Sequence, residues 1–409
     1  MAALLATYAL LASYAGEWLD LVFRWFHVTA AIVWIGTSFY FVALDNHLRE
    51  PEREQDRLEG VRGESWEIHG GGFYVIRKYL VAPPHLPKPL HWYKWEAYWT
   101  WLSGFALLCV LYYADARLRL IDPSVADLEP WQAILISIGL LVVAWLVYDL
   151  LCRLFAGRPL VLAAAILGLV TATAYGVEQL YQARAAYLQV GSMLGTIMAA
   201  NVLLVIIPGH WELVKAKKEG REPDPKAGIV GKQRSVHNNY LTLPVLFTML
   251  AGHFTFTYSH DHAWAVLVAL MAVGAAIRHY FNKRHAGETL WWIPVGCALA
   301  IAAIAVWLRP SAAAPPKAGA APVPFARAQQ IVSARCQPCH SLHPTEPGFT
   351  GPPAGVAFDS AEEIRARAAQ IQELAVSSTV MPLGNQTKMT AAERTEHGQW
   401  IADGARIGP

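Results

Sequence analysis

Two cysteines separated by two residues and followed at once by histidine, Cys336-Gln337-Pro338-Cys339-His340, have the spacing at which a chain takes up haem c. Two thiols add to the vinyl groups on one porphyrin edge, and the adjoining imidazole reaches the iron from below. A zinc site needs a second ligand pair, and the remaining cysteines (Cys109, Cys152, Cys297) stand singly in apolar runs far upstream. A thioredoxin-like reading of the pair wants a βαβ context that this segment lacks. The second axial ligand is expected at Met381, which lies 41 residues (381 − 340) after His340 in the loop-like stretch Val380-Met381-Pro382-Leu383-Gly384-Asn385. A thioether opposite histidine raises the reduction potential and suits electron transfer rather than oxygen binding. Met389 competes, but it stands one residue before the expected N-cap of the last helix, so Met381 is preferred.

The elements that must hold this group are those of a small, class I-like helical cytochrome over 325–409. Phe325 to Arg335 reads as the helix leading into the attachment site. Ser360 with Glu363 and Thr390 with Glu393 are capping boxes that open two more helices. Trp400 and Ile401 give the last helix an apolar face.

Upstream the chain has a different character. It is 409 residues long, 55% hydrophobic and only 16% charged, too apolar for two soluble domains. Sixteen tryptophans suit the aromatic belts of a membrane protein. The formal charge of +2 averages a basic and a near-neutral part and says little about partners, and no basic stripe suggests nucleic acid. Residues 1–16 are apolar but carry no Lys or Arg, so they read as an exposed or interfacial lead-in rather than a cleavable signal. Eight apolar runs follow, at about 21–44, 97–114, 131–150, 159–177, 187–208, 241–258, 262–280 and 290–308. The expected architecture is therefore all-α: a bundle of about eight spans over 17–308, then a Pro/Ala-rich tether at 309–324, then the cytochrome. Gly191, Gly195 and Ala199 form a small-residue face for close helix packing.

Charge sets the orientation. The connections after the first, fifth and seventh runs are rich in Lys and Arg, from Arg49 to Lys94, from Lys215 to Arg234, and at Lys283-Arg284. The alternate connections hold only Arg117, Arg119 and Arg184. The positive-inside rule places the basic loops in the cytoplasm and both termini outside. Haem c is attached on the outer side of a bacterial cytoplasmic membrane, which agrees.

Ionisable groups inside spans are costly and mark function. His27 and His253 fall on different runs at matched depths, roughly 9 and 8 Å from the outer ends. A pair so placed could ligate a haem b or simply be hydrogen-bonded within the core. The cytoplasmic side offers Asp45-Asn46-His47, His69-Gly70-Gly71-Gly72-Phe73-Tyr74, His91, His210, His237-Asn238-Asn239-Tyr240, His279 and His285. The three glycines after His69 lack the Lys and Ser/Thr of a phosphate loop and read as a tight turn. One of Asn238 and Asn239 could be no more than a helix cap.

With these residues in view the chain resembles the integral-membrane, cytochrome c-fused urate oxidases of bacterial purine catabolism. The resemblance rests on Arg24-Trp25-Phe26-His27, Trp34 to Phe41, Leu44-Asp45-Asn46-His47-Leu48, His69 to Tyr74, Lys94 to Trp101 and His237 to Pro244, with Cys336 to His340 and Met381 to Asn385 behind them. It implies oxidation of urate to 5-hydroxyisourate with oxygen from water. Electrons would pass to haem c and on to a periplasmic cytochrome or terminal oxidase. Urate is a planar anion, so its site needs a stacking face, amides for its polar edges and a base for water. Asn238, Asn239, Tyr240, Phe73 and Tyr74 are the expected contacts, and His237 and His69 the expected proton-handling groups. Urate yields two electrons and haem c accepts one, so a relay at His27 and His253 is expected across about 30 Å of hydrocarbon. An electron-transfer or haem/copper-handling membrane protein with a fused cytochrome c, and a respiratory dehydrogenase subunit with another substrate, are the rival readings.

Overall fold

The computed structural model describes residues 2–309, 322–346, 349 and 351–408, with side chains from Tyr14 onward. Helix α1 (Ala2–His47) is unbroken, so the lead-in at 1–16 is continuous with the first span rather than separate from it. After α2 (Glu54–Leu58) the chain forms an antiparallel hairpin of β1 (Val61–His69) and β2 (Gly72–Tyr79). This corrects the all-α expectation. The signal was present: Gly70 and Gly71 adopt φ of +57° and +83°, the two successive positive values that a tight two-residue hairpin turn demands. The expected tight turn is there, but open space lies beside both glycines.

The remaining helices are α3 (Trp95–Leu108), extended by a π turn at Cys109–Tyr113, α4 (Ala116–Arg119), α5 (Pro130–Leu154) and α6 (Pro159–Glu178). Then come α7 (Ala183–Asn201), which runs through a second π turn into α8 (Ile207–Lys218), α9 (Pro225–Ala251), α10 (Thr255–Tyr258), α11 (Ala263–His285) and α12 (Trp292–Trp307). Five segments are long and apolar enough to cross a membrane: Tyr14–His47, Pro130–Leu154, Pro159–Glu178, Ala183–Lys218 and Ala263–His285. The other three expected runs are also largely helical, but α12 has only 16 residues, and the run at 241–258 breaks after Ala251. Helix α9 instead starts at Pro225, behind an Asp224 cap whose side chain accepts from the Lys226 N–H at 2.8 Å. Asn238 and Asn239 are thus mid-helix, not caps.

The bundle core is built mainly on α5, α6 and α7, with α11 packed against them; Tyr148, Leu162, Val190, Met193, Leu194 and Leu267 are nearly inaccessible. Gly191 lets α9 approach α7, since a Cβ there would lie 2.7 Å from Thr248 Cβ. The connections gather at two ends. At one, Gln182 N donates to Leu120 O (3.2 Å), Tyr187 Oη donates to Thr257 O (2.6 Å) and the His260 ring meets Trp307. At the other, His47 meets Ser65 (3.0 Å), Lys232 pairs with Asp45 (2.5 Å) and Asn46 donates to Asn282 O (3.2 Å).

The C-terminal segment forms its own core from α13 (Phe325–Arg335), α14 (Ala361–Ala366), α15 (Ala368–Ile371) and α16 (Ala391–Ala402), centred on Ile331, Val332, Ile364 and Trp400. The first helix has the expected bounds, and both capping boxes form. This module rests on the first end of the bundle: Gln386 Nε2 donates to Arg117 O at 3.0 Å, and Gly384 abuts Ile121 O. Most of the tether falls at 310–321, outside the described residues.

Candidate functional site

The last turn of α13 delivers the cysteine pair. Cys336 N donates to Val332 O (2.8 Å) and His340 N to Cys336 O (2.8 Å), so the two thiols and the imidazole project from one tight turn. Both thiols are free. Burial pushes the Cys336 thiol up to about 12 and lowers the His340 pKa from the ordinary histidine value. The His340 Nδ1–H donates to Val356 O at 2.9 Å, which fixes the tautomer and leaves Nε2 with its lone pair. An imidazole oriented through Nδ1 by a backbone carbonyl, beside two free thiols, is a donor set that fits haem c. Met381 packs partly buried against the same core, and Arg394 Nη1 ties its loop by donating to Met381 O (2.8 Å). Met389 is 4% exposed within the core, its N–H bonded to Asn385 Oδ1.

Helix α9 divides the bundle's polar interior into two sites. Toward α5 and α7, Arg234 Nη2 pairs with Asp149 at 2.5 Å. Asn201 Nδ2 donates both to Tyr148 Oη and to Asn238 Oδ1 (3.0 Å each), and Tyr148 Oη meets His237 Nδ1 at 2.8 Å. Toward α11 and α1, Asn239 Oδ1 accepts from Arg278 Nε and from Asn282 Nδ2, both at 2.9 Å. The Arg278 guanidinium lies 3.9 Å from the centre of the Phe39 ring. Tyr240 stacks on His279, with its hydroxyl 2.7 Å from Nδ1. Helical geometry causes this division. Residues 234 and 238 are four apart and share a face, whereas 239 falls about 100° around the helix beside 278 and 282 on the facing helix.

The hairpin residues stand apart from both sites. Phe73 is 79% and Tyr74 54% exposed, and His69 is exposed at the turn. His27 sits between α1 and α3, its Nδ1 3.0 Å from Thr100 O and 3.1 Å from Ser103 Oγ. His253 lies past the end of α9 in an exposed turn. Thus the structure brings Asn238 together with the Tyr148–His237 pair, and Asn239 with Arg278, but joins neither to His69, Phe73 or Tyr74.

Residues 13–309 match a family described as urate oxidase N-terminal. The chain belongs to that family. No curated protein and no solved structure matches it. The urate oxidase region ends at 309, so it holds His27 and both polar sites on α9, while the CxxCH module lies beyond it. Membership makes an oxidoreductase acting on urate the coarse function, in a chain with helices suited to a membrane.

Sequence reasoning missed Arg278, Asn282, Arg234, Asp149, Tyr148 and Asn201. A signal existed for two of them. Arg278 and Asp149 are charges inside apolar runs, where ionisable groups mark function as His27 does.

Proposed function

We propose that this chain oxidises urate to 5-hydroxyisourate in a bacterial cytoplasmic membrane, with water as the oxygen source. One C5–O bond forms from water, and two protons and two electrons leave. Haem c, when bound, supplies a one-electron acceptor, from which a periplasmic cytochrome or terminal oxidase draws electrons. One observation carries this reading: a single chain joins a urate oxidase region to a CxxCH module whose Met381 loop is docked on that region, through Gln386 and Gly384.

The residues divide the work. Asn239 and its partners meet the substrate. His237, hydrogen-bonded to Tyr148, takes a proton from water or passes one on. His69, Phe73 and Tyr74, exposed on the hairpin, would reach the substrate only from outside the two polar sites. His340, through Nε2, and Met381, whose loop Arg394 holds, would be the residues that ligate the iron of haem c. The module rests against the end of the bundle that is poor in Lys and Arg, which supports an outer location for it. His27, with Nδ1–H donated to a carbonyl, is suited to hold a b-type haem as relay; the second ligand expected at His253 would have to come from the exposed turn that follows Ala251.

The test is isotopic. In water enriched in oxygen-18, the 5-hydroxyl oxygen of the product should carry the label and no peroxide should accumulate. Formation of one peroxide per urate, which leaves the product oxygen labelled but sends the electrons to dioxygen, would overturn the proposal, as would an unlabelled product.

A further inference from the structure

Two arginines are almost wholly enclosed in the urate oxidase region, and they are treated differently. Arg234, 3% exposed, faces Asp149 across 2.5 Å. Arg278, 4% exposed, has no carboxylate partner among the described residues. Two carboxylates at the same end of the bundle are engaged elsewhere. Asp45 is bound by Lys78 and Lys232, and Glu67 by Ser65, Tyr40 and His47. A guanidinium kept from water without a counter-charge is strongly disfavoured. The Phe39 face beside it offers only a weak cation–π contact.

The polar atoms around Arg278 are also incomplete. Arg278 Nη2, Asn239 Nδ2 and Asn282 Oδ1 are buried without any hydrogen-bond partner. Buried polar groups in folded proteins are normally satisfied. Three orphans on three touching side chains, two donors and one acceptor beside an unpaired guanidinium, suit a ligand that carries acceptors, a negative charge and an N–H.

We propose that Arg278 is the anchor for the substrate's negative charge, with the Asn239 amide donating beside it and Asn282 Oδ1 accepting an N–H. The ligand class is a planar, singly charged heterocycle whose carbonyl and N–H groups alternate. That this ligand is urate rests on the function proposed above.

The experiment uses the full chain in detergent, pre-reduced so that bound urate cannot react. Urate affinity and the ligand-free melting temperature are compared among wild type, Arg278→Gln, Arg278→Lys and Arg234→Gln. The expected results are a loss of affinity of roughly thirtyfold or more for Arg278→Gln, partial retention by Arg278→Lys, and a melting temperature for Arg278→Gln no lower than wild type. Arg234→Gln, which strips a paired buried charge from Asp149, should melt lower. Unchanged urate affinity in Arg278→Gln would overturn the proposal, as would a fall in its melting temperature equal to that of Arg234→Gln. If wild type ignores urate but is stabilised by another planar anion such as xanthine, and Arg278→Gln is not, the anchor stands and the urate reading fails. If no planar anion binds wild type, the anchor falls as well.

Discussion

His27 and Gly104 touch across α1 and α3: a Cβ added at 104 would lie 2.8 Å from His27 Cε1. The absent side chain lets the imidazole lie against the α3 backbone, where Nδ1 reaches Thr100 O and Ser103 Oγ. Gly104→Val should therefore push the ring off both partners and cost about 1–3 kcal/mol by overpacking. Thermal unfolding in detergent reads the stability change. A pyridine haemochrome spectrum reads the relay, and the expected result is a b-type band beside the c-type band in wild type that weakens in the variant. A wild-type spectrum with only the c-type band removes haem b from the account.

Asp149 neutralises Arg234 and also accepts from Arg153 Nε at 2.7 Å. Asp149→Asn leaves a buried guanidinium without its partner, and the expected destabilisation is about 3–5 kcal/mol. Adding Arg234→Gln to that variant should recover part of the loss, because the stranded charge goes with it. A double variant no more stable than Asp149→Asn contradicts the pairing.

In the C-terminal CxxCH module, His397 is 1% exposed and both its ring nitrogens are buried without hydrogen-bond partners. Burial lowers its pKa from 6.5 to about 4. Between those values the unfolded chain takes up a proton that the folded module refuses. The stability this neutral ring permits is complete above pH 6.5 and is lost as pH falls toward 4, by up to about 3 kcal/mol. His397→Leu should move the acid unfolding midpoint, followed by circular dichroism in the haem region, to lower pH. An unmoved or higher midpoint would refute the assignment.

Gly384 places the Met381 loop on the bundle, with Ile121 O only 3.1 Å from where a Cβ would stand. Gly384→Val should lift the module from that contact. Haem c should still be reduced by ascorbate at the wild-type rate, while its reduction by urate slows in stopped-flow measurements. Equal slowing with both reductants would mean that the substitution damages the module itself.

What could be read in the sequence follows the range of the interactions involved. Helix Phe325–Arg335 and the Ser360 and Thr390 capping boxes were legible because their causes lie within a few residues. The start of α9 was local too, in Asp224-Pro225, but the surrounding Lys and Arg made that stretch read as loop. The hairpin was hidden because charged residues such as Arg62, Glu64 and Glu67 interrupt its apolar alternation. Asn239 could be nominated from its neighbours in the chain, whereas Arg278 and Asn282 matter only because α11 packs on α9. That relationship exists in three dimensions and leaves no spacing to read. Likewise, the matched depth expected of His27 and His253 assumed an unbroken sixth span, and the turn after Ala251 removed that assumption.

The most direct test is to add urate to oxidised, full-length protein under anaerobic conditions and follow the haem c α band. The account predicts that the band rises to its reduced form as urate is consumed, with two haems reduced per urate oxidised. A haem that stays ferric while urate is present, yet is reduced at once by ascorbate, would contradict it.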